Sequence, residues 1–404
     1  MSTIPEHVPA DRVFPFDFRL DPQIRSDPWR FFHGANALPE IFYSPDLGGH
    51  WVLARAALID EGWSRPDLFS ASHVSVPRIE NPFRLIPNNL DPPEHRPYQQ
   101  IFTRQMFAPR IIRALSDDFR RFTRERIDAF YARGRCDFNA EYAQPLPVEI
   151  FMRMVGVPTS RRTEFDASVE RIFRGTTSEE VYRGMTEVAA LLDDWLDEEL
   201  ADRHAPREAH MLQAMLRAEI DGRLLDRAEL SSIATMLMLG GLDTVTSATL
   251  HQVVFLASNP EARQALVDDP SRIPLAVEEL LRRFSAANLG RTAARDFSFH
   301  GVEIKQGDMV LFSTSIAGLD ETRFERPFEV DFARRGVKGD SLAFGTGIHM
   351  CPGHTLARAE LAITLEELLP RLPNLRLAPD AHLEYASGGT VTITSPVPLE
   401  WDVA

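Results

Sequence analysis

Between about residues 93 and 279, apolar positions recur every three to four residues, the period of helices packed on one side. The stretches 110–132 and 181–200 show it most clearly. Outside that region the pattern changes. Ile41-Phe42-Tyr43 and His50-Trp51-Val52-Leu53 are short strand-like runs set among Pro-rich loops. Residues 292–312, with Gly301 and Gly307 at turns, and 385–401 read as further strands. No repeat, low-complexity tract or long linker divides the chain. The expected fold is mainly α with a minor β lobe, one domain over 1–404 with the first 20 or so residues irregular.

The longest helix is expected at 227–257. Asp226 and Glu229 form a capping-box pattern at its start, and Asn259-Pro260 stops it and begins the next helix. Some 30 residues at 1.5 Å each span about 45 Å, so this helix must cross the core. Gly240 and Gly241 interrupt it, at about 1 kcal/mol each relative to alanine. Leu239, Leu242, Val245 and Leu250 carry the apolar pattern through them. Gly240 and Thr244 share a face, with Asp243 adjacent, and the Thr244 hydroxyl can bond a backbone carbonyl. The plainer alternative is a glycine pair closing one helix while Asp243 caps another.

The formal charge of −15 argues against nucleic acid or an anionic membrane as partner. Residues 1–20 contain no apolar leader segment. The most apolar stretch, 236–257, is broken by Asp243, His251 and Gln252 and reads as a buried helix. With two cysteines, a cytoplasmic protein is expected.

Cys351 lies in Phe344-Gly345-Thr346-Gly347-Ile348-His349-Met350-Cys351-Pro352-Gly353. Pro352 suits a first helical position, which would set Cys351 at a helix N-terminus whose N–H groups favour a thiolate. The glycines permit positive φ or close approach to a flat group on which Phe344 could pack. Three readings follow: a small buried hydrophobe, a zinc site with His349 and His354, or the axial thiolate of a haem.

At this point the sequence resembles the cytochrome P450 family, most closely its soluble bacterial class of the camphor-hydroxylase type. Phe344 to Gly353 match every fixed position of that family's haem signature. Gly240-Gly241-Leu242-Asp243-Thr244 matches its oxygen-activation motif, and Glu279-Leu280-Leu281-Arg282 its ExxR motif. The resemblance implies a P450 fold with a long central helix crossing over haem b, and Cys351 as axial ligand of the iron. It gives Asp243 and Thr244 the catalytic roles, Asp243 relaying protons. Gly240, Gly241, Phe344 and Gly345 would lie along the haem, with His349, Arg291 and His95 binding its propionates. Gln99 departs from the arginine that many relatives carry, with Arg96 and Arg104 as compensating cations. Glu279, Arg282 and Arg334 would form a buried structural network.

The resemblance also implies a pocket walled by Phe83, Leu85, Met236, Leu239, Ala287, Leu289 and Val391. All are apolar. Phe83 stands about where camphor-oxidising relatives place a ketone-binding tyrosine. A compact terpenoid- or norisoprenoid-like substrate is therefore expected. The chain shows no flavin or iron–sulfur motif, so electrons for O2 would come from a [2Fe–2S] ferredoxin and its NAD(P)H-dependent reductase. A monomer is expected. The alternatives are an H2O2-driven peroxygenase and a non-catalytic haem protein.

Overall fold

The helix expected at 227–257 forms without a break as Arg227–Ser258 in a computed structural model, which describes residues 4–79, 84–174, 178–204 and 210–403. Phe83 lies outside the described residues. The capping box is complete. The Asp226 carboxylate accepts from the Glu229 N–H at 2.9 Å, and Glu229 accepts from the Asp226 N–H at 2.7 Å. Glu229 also receives both guanidinium arms of Arg223 and the Tyr98 hydroxyl. Arg223, joined by Tyr98 and the Asp226 N–H, holds its carboxyl down at about 2.

Around this helix pack Pro145–Val155, Ser178–Ala201, Ile273–Arg283 and His354–Leu368, while Pro109–Tyr131 lies against His354–Leu368. Its two halves belong to different cores. Leu230, Ile233, Leu237 and Met238 pack with Trp195 and Phe151, whereas Leu250, Val253 and Leu256 pack with Phe130, Leu365 and Trp401. Among the described residues it is the one helix long and apolar enough to cross a membrane, and over half of its apolar window is buried within the protein.

The β lobe is a five-stranded sheet in the order Ile41–Ser44, His50–Leu53, Met309–Ser313, Asn288–Ala293, Phe69–Ser70. Its neighbours are antiparallel except for Met309–Ser313 beside His50–Leu53. Val310 pairs with Arg291, which places Arg291 on a central strand, 3% exposed. The region 292–312 also folds a small hairpin, Phe297–Phe299 with Val302–Ile304, and 385–401 yields three strands. Three short strands break the helical region: Glu219–Ile220 pairs with Arg223–Leu224, and Arg135–Asp137 pairs with Pro398–Glu400 and buries Cys136. Strands this short carry too little alternation to be read from sequence.

A carboxyl held near 2 rather than at its ordinary value adds stability that is fully present above about pH 4.5 and lost as pH falls towards 2. Glu229→Gln should therefore unfold at lower denaturant than the parent at pH 7. Urea titrations should show that gap closing as pH drops below about 4; a gap independent of pH would contradict the ion-pair account.

Candidate active site

The loop around Cys351 is built on close approach. Gly345 and Gly347 have φ of 66° and 68°, and a Cβ on Gly347 would stand 2.7 Å from the Trp63 carbonyl. No other residue type suits that position. Gly353 differs, with φ −81°, and a Cβ there would lie in ordinary contact with the Phe107 ring at 3.5 Å, so neither conformation nor space demands glycine. The Cys351 N–H closes the loop on the Phe344 carbonyl at 2.9 Å. Gln99 donates to the Ile348 carbonyl at 3.0 Å, so it braces the loop backbone. Arg96 and Arg104, the cations expected to compensate for it, are exposed.

Two expectations about Cys351 are corrected. The helix starts at His354 with Gly353 as N-cap, so Pro352 is not its first residue. Burial pushes the thiol up, outweighing the Gly353 N–H, the Arg358 charge and the His354 N–H that pull it down. Helix-end donors alone do not make this sulfur a thiolate. A bound metal cation would, because it replaces the proton.

Arg358 organises the same loop from the following helix. Its guanidinium lies 4.5 Å over the Phe344 ring, pairs with Glu278 at 2.6 and 3.1 Å, and reaches His354 Nδ1 at 2.8 Å. The ring of Phe344 is thus clamped, and His354 is occupied. Among the described residues no group of three His, Cys, Asp or Glu could hold a metal ion, which removes the zinc reading.

Glu279 and Arg282 pair at 2.6 and 3.1 Å with no exposure of either side chain. The other Arg282 donors reach the carbonyls of Gly318, Pro327 and Glu329. Arg334 Nε completes the group at 3.0 Å from Glu279.

Arg291, His95 and His349 come together at the sheet edge of the site. The rings of His95 and His349 are 4.3 Å apart. Burial, then Arg291 and His95, hold His349 down at about 2, and burial lowers Arg291 to about 10 against the pull of Asp91. Among the described residues His349 Nε2 is buried without a partner, and the Arg291 guanidinium bonds the Gly290 carbonyl alone. A buried cation beside an unpartnered ring nitrogen is a site for carboxylates. The donor set therefore fits haem: a sulfur for the iron, and these groups for its propionates.

The central helix offers a matching surface. Gly240 and Thr244 are exposed midway along it, although Leu237, Met238, Leu242 and Ser247 are buried, and Asp243 is half-buried. A Cβ on Gly241 would meet nothing within 4 Å, and one on Gly240 only the Met236 methyl. Thr244 Oγ1 donates to the Gly240 carbonyl at 2.9 Å. Of the apolar residues expected around a substrate, Met236, Leu239, Ala287 and Leu289 keep accessible surface, and Leu85 is 6% exposed. Val391 has none. Its N–H bonds the Ala286 carbonyl and its carbonyl accepts from Ser247, which places it in the β-lobe core.

Sequence reading passed over Gln99 as a brace, and over Arg358, Glu278 and Trp63. Arg358 lies four residues after His354, so helix spacing alone put them side by side. Nothing local in sequence brings Trp63 under Gly347.

Comparison with known proteins agrees with this geometry. The cytochrome P450 family model matches residues 160–380. The protein named Probable cytochrome P450 127A1, of Sinorhizobium fredii, is 31% identical over 99% of this chain and 97% of its own length. Pentalenic acid synthase of Streptomyces avermitilis is 30% identical over 98% of each. The crystal structure of CYP101J2 superposes with a TM-score of 0.89 at 33% identity, covering 99% of this chain and all of that one. That of CYP101C1 gives 0.90 at 29%.

Two outcomes follow from the site's buried charges. Arg291→Leu should weaken haem uptake by the apoprotein at least about tenfold, the worth of one charged hydrogen-bonded contact, as read by absorption titration. Glu279→Ala leaves Arg282 buried and unpaired, and should cost about 3–5 kcal/mol in urea unfolding of the apoprotein.

Proposed function

Since the chain belongs to the cytochrome P450 family of haem b monooxygenases, we propose that it hydroxylates a compact apolar substrate, terpenoid- or norisoprenoid-like. The balance is RH + O2 + 2 e− + 2 H+ → ROH + H2O. The electrons come from a [2Fe–2S] ferredoxin and its NAD(P)H-dependent reductase. The observation that carries the oxidative reading is the exposure of Gly240 and Thr244, one face midway along a helix more than half buried. The apolar character of Leu85, Met236, Leu239, Ala287 and Leu289 supports the substrate class.

Haem b, held by the Cys351 sulfur, supplies O2 activation and transfer of one oxygen atom to a C–H bond. The protein's part is placement and proton supply. Arg291, with neutral His95 and His349, would hold the carboxylate edge of the group. Arg358 keeps Phe344 fixed, so the loop presents Cys351 in one position. Thr244 spends its own proton on the Gly240 carbonyl, which leaves its oxygen lone pairs to accept a hydrogen bond on the accessible side. We assign the proton supply to Asp243, next in sequence and half-buried, as the acid that reprotonates Oγ1 of Thr244. In this reading the protons of the balance would pass through the pair when the Thr244 hydroxyl turns from the Gly240 carbonyl towards the site and takes its next proton from Asp243. A wall without donors holds a hydrocarbon skeleton by area alone, at about 25 cal/mol per Å2 of apolar surface covered.

Thr244→Ala should keep haem content and substrate affinity while product per NADH falls at least about tenfold, with the difference appearing as peroxide or excess water. Unchanged coupling would rule out the acid–alcohol role. Camphor should bind weakly, without full conversion of the iron to high spin, whereas apolar terpenoids or norisoprenoids lacking a matched ketone contact should give the larger spectral shift.

A further inference from the structure

We propose that Ser232 is a specificity-determining residue: it latches the wall segment 84–90 to the central helix and so sets how far Leu85 reaches towards the substrate. Its buried hydroxyl accepts from the Ile86 N–H at 2.8 Å and donates to the Arg84 carbonyl, so both of its hydrogen-bonding functions are spent on the two residues flanking Leu85. Within the same turn of wall, Asn89 accepts from the Leu85 N–H at 3.0 Å and donates to the carbonyls of Ala71 at 3.2 Å and Ser72 at 3.3 Å. Segment 84–90 is therefore suspended between two bodies, the β lobe through Asn89 and the central helix through Ser232. Glu229 lies one turn earlier on the helix and holds Tyr98, further along the same stretch of chain.

This suspension has a consequence for binding. A wall held by side-chain hydrogen bonds rather than by a strand ladder can yield at a cost of a few bonds. Held in place, it spares the ligand the ordering of the segment. The latch also lies on the helix that carries Met236 and Leu239, one and two turns further on, so a shift of Leu85 against Ser232 changes the gap between two walls of one pocket. The work at position 232 needs a hydroxyl: alanine would lose both bonds, and threonine would keep them.

The proposal rests on the substrate-side reading of Leu85, and the experiment separates the two. Holoenzyme of the parent, Ser232→Ala and Ser232→Thr is titrated with imidazole and with the bulkier 4-phenylimidazole, both of which coordinate haem iron, and stopped-flow traces give the rate constants. Ser232→Ala should bind imidazole as the parent does, but bind 4-phenylimidazole about fivefold or more weakly, with faster release, as expected for the loss of one to two hydrogen bonds. Ser232→Thr should restore the parent values. Equal constants for both probes in all three proteins would overturn the proposal. Amide exchange of 84–90 in the parent decides the matter if Ser232→Ala does not fold. Slower exchange with 4-phenylimidazole than with imidazole supports the latch, and identical exchange refutes it. If Leu85→Ala leaves the binding of both probes at the parent values, the substrate-side reading of Leu85 falls, and the latch with it.

Discussion

The buried pair of Glu279 and Arg282 is the interaction on which the cysteine side of the molecule depends. A guanidinium with no exposure is tolerable only when every donor is met. Here a carboxylate takes two N–H groups and three backbone carbonyls, from Gly318, Pro327 and Glu329, take the rest. Gly318 ends the short helix Thr314–Gly318, whereas Pro327 and Glu329 belong to irregular chain that has no ladder of its own to fix it. Arg334, bonded to the same Glu279, extends the hold towards the segment that leads into the cysteine loop. The neighbouring Glu278 reaches the loop from its other end through Arg358. Two adjacent carboxylates on one helical turn thus fix both approaches to Cys351.

With the loop fixed, the energetics of the sulfur become a matter of what binds it. Burial raises the thiol, and the Gly353 and His354 N–H groups offset only part of that. The same logic governs Arg291, His95 and His349, where burial lowers each basic group and a partner is lacking for His349 Nε2. Taken alone, the sulfur and the cluster are both costly. Together they are complementary to one ligand that brings a cation to the sulfur and carboxylates to the arginine. The protein thus invests stability in affinity for its prosthetic group.

Much of this was legible in sequence because the decisive features are local. The capping box, the glycine pair, Thr244 four residues from Gly240, and Glu279 three from Arg282 all need only helix periodicity to be placed. The ten-residue loop carried its own glycine pattern. What escaped depends on contacts between distant segments. Trp63 beneath Gly347, Gln99 on the Ile348 carbonyl and Ser232 between Arg84 and Ile86 join positions far apart in the chain, and no period reports them. Val391 was misplaced for a related reason. An apolar residue on a strand faces either a pocket or the core, and only the register, here set by the Ala286 carbonyl, decides. The thiol's direction of shift was misjudged because donors are visible in sequence, whereas burial is not.

The two faces of the site differ in how they are held, and that difference bears on what evolution can change. Beneath the cysteine loop Glu279 and Arg282 are buried and fully paired, so loss of either leaves an uncompensated charge and costs several kcal/mol. On the wall opposite, the fixing bonds are neutral ones from Asn89 and Ser232, each worth about 1 kcal/mol. A substitution there moves a wall without threatening the fold. A protein arranged in this way can keep its oxygen chemistry constant while the shape of the accepted substrate drifts, because the interactions that define the two are of different strength and share no residue.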